Sequence, residues 1–185
     1  MRVLLTGASS FSGMWIAQAL ARAGHEVVAV ARGGAYADPL RQARMDRVAA
    51  VAQIVTDAPF GSDGFLDVLA RGFDVIGLHG AEVGDYKSPT YDMPAAVASN
   101  TLNAEAVFEA AAGARVVLTG TVFESDEGQG TTPLVSFSPY GTAKALTGQR
   151  MQSVAEAAGL PVSKFVIPNP FGPWEERKFQ RLVMT

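Results

Sequence analysis

The sequence predicts an α/β domain of the Rossmann-like kind, a doubly wound parallel sheet with helices on both faces. Three observations predict it. Short β-branched runs alternate with longer alanine-rich runs of helical period, the pattern of successive βαβ units. Several of the short runs, RVLL, EVVAV and RVVLT, are apolar throughout, as strands are when helices cover both faces of their sheet. Gly24, Gly113 and Gly159 each follow a helical run, where a left-handed residue stops a helix.

In chain order, the first strand is Val3–Leu5, and TGASSFSG (Thr6 to Gly13) turns the chain into a helix over Phe11–Ala23. After Gly24 the β-branched run Val27–Ala31 makes the second strand. Gln42–Ala50 has the period of a short helix, and Ala52–Thr56 is the third strand. A helix over Gly64–Ala70 leads to the fourth strand, Val75–Leu78. Pro94–Ala112 reads as one long helix that opens on a proline and ends before Gly113. Val116–Thr119 is the fifth strand, Tyr140–Ala158 the next helix and Lys164–Ile167 the sixth strand. A last helix is expected from about Trp174, with Phe179, Leu182 and Val183 at helical spacing. The irregular segments Ala81–Met93, Glu124–Ser138 and Pro168–Glu176 each follow the carboxyl end of a strand. Open α/β sheets bind ligands at that edge, so these three loops are expected to frame a site.

Composition narrows the chemistry. A chain of 185 residues, 48% hydrophobic, is enough for one domain with one core. It has no cysteine, which excludes disulfides and thiolate chemistry, and its two histidines, His25 and His79, lie too far apart in sequence to suggest a zinc site. No metal is expected. A net charge of −3 without any lysine/arginine cluster argues against nucleic acid as a partner. No apolar run approaches the roughly 18 residues that cross a bilayer, and MRVLLTG lacks the form of a secretory signal. The expectation is a cytoplasmic domain that binds a small molecule.

TGASSFSG lies between a strand and a helix, the context that gives a glycine-rich loop its meaning. Gly7 allows a sharp turn, Gly13 allows the helix to pack closely on the sheet, and the helix N-terminus offers N–H groups to a pyrophosphate. Gly7, Ser9, Ser10, Phe11, Ser12 and Gly13 are therefore candidate cofactor-binding residues. Ser10 stands where such a loop usually has its middle glycine. Its hydroxyl either donates to a phosphate oxygen or crowds the approach that glycine permits. About 20 residues further on, an acidic residue at the end of the second strand would favour NAD. The chain has Arg32 there, followed by Gly33 and Gly34. Its planar fork suits a 2′-phosphate or stacking on adenine, although a solvated arginine at a loop start reads the same way. On that basis NADP is preferred over NAD. Asp57, ending the third strand, is placed either to meet the adenine or to cap the turn at Ala58-Pro59.

SPYGTAK sets Tyr140 and Lys144 four apart at the start of a helix, on one face. A phenol beside an ammonium has its pKa lowered toward the range of a useful acid or base. Thr119, at the end of the fifth strand, could hydrogen-bond the same reacting oxygen. Taken alone, a tyrosine and a lysine at this spacing would pass as surface residues.

In order and spacing, these segments resemble the extended short-chain dehydrogenase/reductase family, in its NAD(P)-dependent epimerase/dehydratase branch acting on nucleotide sugars. TGASSFSG is similar to the family's TGxxGxxG, and FDVIGLHGAEVG to its fourth strand and following loop. ASNTLNAEAVFEAA is similar to its asparagine-bearing helix, VVLTGTVFES with SPYGTAK to its Ser/Thr strand and Tyr-x-x-x-Lys pair, and IPNPFGPWEE to the segment after its sixth strand.

The resemblance implies roles. Tyr140 would be the general acid/base, Lys144 would lower its pKa and hold the nicotinamide ribose, and Thr119 would orient the substrate hydroxyl. Leu78, Gly80, Asn100 and Pro168 would join the cofactor contacts, and Glu82, Thr119, Thr121 and Asn169 the substrate contacts. Glu82, Asp85 and Tyr86 would reach substrate, or simply be a solvated loop. The implied reaction is removal of a proton from a sugar hydroxyl with hydride transfer to the nicotinamide, reversed on the other face to invert the centre. Gly120 and Thr121 occupy the positions of the dehydratases' acid/base pair, so epimerisation or simple carbonyl reduction fits better than dehydration. Phe123 replaces a common tyrosine and Glu124 a glycine. Leu78 stands where many members have histidine, and His79, one place later, reads as a packing or loop residue. The resemblance also implies a dinucleotide-binding domain over 1–168, the start of a substrate-binding region over 169–185 with most of that domain absent, and a homodimer through the alanine-rich helices Pro94–Ala112 and Tyr140–Ala158. The alternatives are an NADP-dependent reductase of a non-sugar carbonyl and a non-catalytic dinucleotide-binding module.

Overall fold

The computed structural model describes residues 1–33, 36–84, 86, 88–124 and 138–176. Six strands, β1 (Arg2–Thr6), β2 (Glu26–Val30), β3 (Gln53–Val55), β4 (Val75–Leu78), β5 (Arg115–Thr121) and β6 (Val162–Ile167), form one sheet in the order β3-β2-β1-β4-β5-β6. Every pairing is parallel. The helices are α1 (Phe11–Arg22), α2 (Pro39–Ala49), α3 (Asp63–Leu69), α4 (Met93–Asn100), α5 (Ala104–Ala110) and α6 (Pro139–Ala157). This is the doubly wound order, whose direction reverses between β1 and β4.

Because side chains alternate across a strand, each apolar run feeds two cores. Leu4, Val28 and Ile76 pack with Phe65, Val107, Phe108 and Met151, against α3, α5 and α6. Their neighbours Leu5, Val27 and Ala29 pack with Met14, Ala17, Met45 and Val48, against α1 and α2. Side-chain caps start the helices: Ser10 for α1, Asp38 for α2, Ser62 for α3, Asp92 for α4 and Ser138 for α6. Asp38 with Pro39 explains why α2 begins ahead of the expected Gln42. Gly24, Gly113 and Gly159 all have positive φ, as their positions after helices required.

The expected single helix over Pro94–Ala112 is two helices. Asn103 adopts a left-handed φ of 49°, and its side-chain amide donates to the Gly61 carbonyl at 2.8 Å. Thr101 returns its hydroxyl to the Val97 carbonyl at 2.8 Å. A tertiary contact with the loop before α3 thus overrides good local helix propensity. The last helix is also absent where it was expected to begin. Trp174 has φ of 77°, and its carbonyl accepts from Nε and Nη2 of the buried Arg44 at 2.9 and 2.5 Å. Arg47 stacks on its ring, and Trp15 donates to the Pro173 carbonyl at 3.3 Å. The segment after β6 therefore crosses to α1 and α2 and is buckled there. Phe179, Leu182 and Val183 lie outside the described residues, as do Gly34 and Asp85.

One close approach positions the site directly. Residues Val122–Glu124 form a single 3₁₀ turn after β5, and a Cβ on Gly141, in the first turn of α6, would fall 1.8 Å from the Phe123 carbonyl oxygen. Gly141→Ala is expected to cost at least about 1–3 kcal/mol through this overlap, read as a lower Tm. An unchanged Tm would mean that α6 does not abut the turn.

Candidate active site

The site lies over the carboxyl ends of β1 and β4. Gly7, at φ of 74°, turns the chain so tightly against the loop after β4 that a Cβ on it would be 2.6 Å from the Gly80 nitrogen. Gly80 in turn donates its N–H to Thr6 Oγ1 at 2.8 Å. Gly13 is the close-packing glycine expected, since a Cβ there would lie 2.1 Å from the Gly7 carbonyl oxygen. Ser10 is the N-cap of α1. Its hydroxyl donates to the Gly7 carbonyl at 2.8 Å and accepts the Gly13 N–H at 3.0 Å, so it folds back into the turn. Gly7, Ser9, Ser10, Phe11 and Ser12 line a cavity of about 490 Å³, whereas Gly13 lies beneath it. A tight glycine turn beneath a helix N-terminus, opening on a cavity of this size, fits the pyrophosphate of a dinucleotide.

Along one flank the cavity is lined by Arg32, Leu78, Gly80, Glu82 and Asn100. Arg32 Nη1 donates to Glu82 Oε2 at 2.7 Å, so the cation expected to meet a 2′-phosphate is already paired. The same contact redirects Glu82, expected at the substrate, to the arginine. Asn100 holds the Glu82 backbone by accepting its N–H at 2.8 Å, and Tyr91 donates its hydroxyl to the Glu82 carbonyl at 2.7 Å. Asp57 does not line the cavity. It is exposed with a left-handed φ of 58°, and Ala58, Pro59 and Phe60 take the wall instead.

The same cavity is lined by Thr119 and Thr121 from β5, Tyr140 and Lys144 from α6, and Pro168 and Asn169 after β6. Three elements distant in sequence converge here because β5, α6 and β6 are neighbours. Lys144 Nζ donates to the Thr119 carbonyl at 3.0 Å. Thr121 spends its groups on the following turn: its N–H donates to Glu124 Oε1 at 2.8 Å and its Oγ1 accepts from Phe123 N at 3.4 Å. Glu124 also pairs with Lys164 of β6, over Gly120.

The electrostatics differ from the sequence expectation. Burial, then Tyr91, Glu124 and Tyr86, push the Tyr140 phenol up to about 12. Burial holds the Lys144 ammonium below its ordinary range, with Glu124 opposing and Lys164 adding to the effect. The anticipated lowering of the tyrosine by the lysine is not seen: burial raises the phenol, and the lysine ammonium is tethered to the strand carbonyl. Tyr140 also sits in an aromatic cluster, with ring centroids 5.6 Å from Tyr86, 5.7 Å from Tyr91 and 6.2 Å from Phe123.

His79 is the site residue that the sequence reading passed over. It lines the cavity with Nε2 3.2 Å from Ser10 Oγ and 3.0 Å from Ser12 Oγ, while Nδ1 lies 3.2 Å from Thr119 Oγ1. Burial first, and Lys144 second, lower its pKa to about 4. An unfolded histidine, at 6.5, binds a proton that the native site excludes. The contribution is therefore intact above pH 6.5 and is lost as pH falls toward 4, on the order of 3 kcal/mol in all. Urea unfolding at stepped pH should show this slope, and His79→Asn should remove it. A slope unchanged by the substitution would contradict a neutral His79.

Among the described residues no helix is long and apolar enough to cross a membrane, and no three potential ligands cluster as a metal site. In comparisons with solved structures, the chain aligns with UDP-glucuronic acid 4-epimerase from Bacillus cereus in complex with NAD at 21% identity and TM-score 0.76, covering 96% of this chain and 60% of that one. It aligns with UDP-glucose 4-epimerase from Thermotoga maritima at 16% identity and TM-score 0.66, covering 89% and 54%. The UDP-Glc/GlcNAc 4-epimerase of Campylobacter jejuni gives 16% and 0.68, covering 92% and 53%. The chain thus spans between 53% and 60% of the length of these structures. No curated protein matches it. The model of the NAD dependent epimerase/dehydratase family matches residues 3–185, and at identities this low the structures add the fold alone. With that match over nearly its whole length, the chain belongs to the NAD dependent epimerase/dehydratase family.

Proposed function

We propose that this chain binds NAD and carries the acid/base centre of an epimerase that acts on a nucleotide-sugar hydroxyl. One observation carries the reading: Thr119, Tyr140 and Lys144 line the same cavity as the glycine turn and the α1 N-terminus. When bound, NAD supplies the hydride acceptor and a cationic ring. The loop residues Gly7 to Ser12, with Leu78, Gly80, Asn100 and Pro168, would hold it. Tyr140 is a neutral phenol at neutral pH, so Oη starts as a proton donor to a substrate oxygen. It becomes a base as positive charge gathers beside it, since a nearby cation favours the phenolate. Lys144, with one of its three donors on the Thr119 carbonyl, fixes a cation on the same side of the site. Thr119 Oγ1 orients the substrate oxygen, and Asn169, which lines the same cavity, is a further substrate contact. The acid/base pair characteristic of dehydration has no counterpart at Gly120 and Thr121, so hydride return without water loss is the reaction supported.

NAD is preferred over NADP because the family is NAD dependent and the Arg32 charge is engaged by Glu82. Calorimetry with both cofactors tests the first step, and a UDP-sugar panel followed by product stereochemistry tests the second. An epimerase shows conversion with no net change in nicotinamide oxidation state. Stoichiometric consumption of cofactor would instead identify a one-way oxidoreductase. Releasing Arg32 should shift the cofactor balance. Glu82→Gln is expected to improve NADP binding relative to NAD by about twofold to fivefold, the scale of one partly exposed ion pair. An unchanged ratio would mean that Arg32 does not face the adenosine ribose.

A further inference from the structure

The acid/base scheme leaves one buried titratable group of the cavity unused. His79 touches the phosphate loop through one ring nitrogen and the strand hydroxyl through the other. Proton accounting restricts how it can do so. A neutral imidazole has one donor and one acceptor nitrogen. Ser10 already gives its only hydroxyl proton to the Gly7 carbonyl, so toward Nε2 it can only accept. Ser12 can donate or accept, and so can Thr119. One arrangement satisfies all three contacts: with the proton on Nε2, the ring donates to the serines and Nδ1 takes the Thr119 proton. The reverse tautomer would set the Nε2 lone pair against the Ser10 oxygen, which has no proton left to give.

We propose that His79 is a positioning residue that joins the phosphate loop to the Thr119 hydroxyl, so that the serines at the start of α1 fix the proton on Nε2 and thereby the direction of the Thr119 proton. The proposal rests on the NAD-binding reading above for its consequence. Ser12 accepts from Nε2, so its own proton stays available to a pyrophosphate, which would offer acceptors only. Nδ1 accepts from Thr119, and the Thr119 oxygen keeps lone pairs for an incoming hydroxyl, which sets it for the alcohol form of the substrate. Lys144 is the charged group facing the imidazole, and together with burial it keeps the ring neutral throughout.

The chain has only two histidines, so a histidine-¹⁵N-labelled sample with His25→Gln reports on His79 alone in long-range proton–nitrogen spectra. In the free protein, Thr119→Val should shift the Nδ1 resonance and Ser12→Ala the Nε2 resonance. In the free protein and with saturating NAD alike, Nε2 should fall in the protonated range and Nδ1 in the bare range. The ring should stay neutral on acidification until the pH nears 4. An Nδ1 resonance indifferent to Thr119→Val would overturn the tie, as would an Nδ1-protonated ring with NAD bound. If NAD fails to bind while Thr119→Val still shifts Nδ1, the proposed function falls and the tie between His79 and Thr119 stands. His79→Leu, which keeps bulk without either nitrogen, separates this role from packing. It should raise KM for the sugar less than about threefold while lowering kcat about tenfold or more, on the scale of one lost orienting hydrogen bond. Equal kcat in His79→Leu and the parent protein would show that the ring only fills space.

Discussion

Tyr140→Phe is expected to lower epimerase turnover by about a hundredfold to ten-thousandfold, the range of a lost general acid/base, while the NAD dissociation constant changes by no more than a few-fold. The substitution deletes one oxygen. It keeps the ring that packs at 5.6 and 5.7 Å from Tyr86 and Tyr91. The start of α6 should therefore stay in place, and thermal unfolding should show little change. The pH profile separates this from a structural effect. The free phenol is pushed up to about 12, so kcat/KM for the alcohol-oxidising direction should rise with pH as the phenolate fraction grows. That alkaline rise should be absent in Tyr140→Phe. Turnover that survives the substitution would remove the tyrosine from the chemistry.

What could be read from the sequence was what short range determines. The parallel sheet and its two-faced core follow from apolar runs that a period of two divides between α1–α2 and α3–α6. The glycine turn before α1 and the Tyr140–Lys144 spacing at the start of α6 are likewise local patterns, legible because the elements on either side of them are. The misses share one cause, contact between residues far apart in the chain. Asn103 breaks a good helix because Gly61, 42 residues earlier, accepts from its amide. Arg32 lost its reading as a 2′-phosphate ligand to a carboxylate 50 residues on. Trp174 leaves helical geometry for Arg44, 130 residues before it. His79 meets Ser10, Ser12 and Thr119 across 69, 67 and 40 residues. Yet a signal for His79 was present. Ser10 replaces the loop's usual middle glycine, and the histidine of this strand stands one place later than in many members, and two departures in one site are most simply explained when each provides for the other.

Lys144→Met is expected to move activity and stability in opposite directions. Nζ donates to the Thr119 carbonyl and in the proposed role supplies the fixed cation for Tyr140, so its loss should lower kcat/KM by about a thousandfold, near 4 kcal/mol of transition-state stabilisation. NAD affinity should also fall, since in that role the same ammonium holds the nicotinamide ribose. Stability should not follow. Burial depresses the ammonium below its ordinary range, which means that the folded protein holds this charge less readily than the unfolded chain does. A group so shifted contributes fully only above its unfolded pKa, and below it the native state carries a penalty. Met, of similar length and without charge, removes that penalty at neutral pH at the expense of one hydrogen bond to Thr119. Tm should therefore hold or rise, the pattern of a residue retained for chemistry against the interest of the fold. A marked fall in Tm would show instead that Lys144 ties α6 to β5 as structure, and its loss of activity would then say nothing about the phenol.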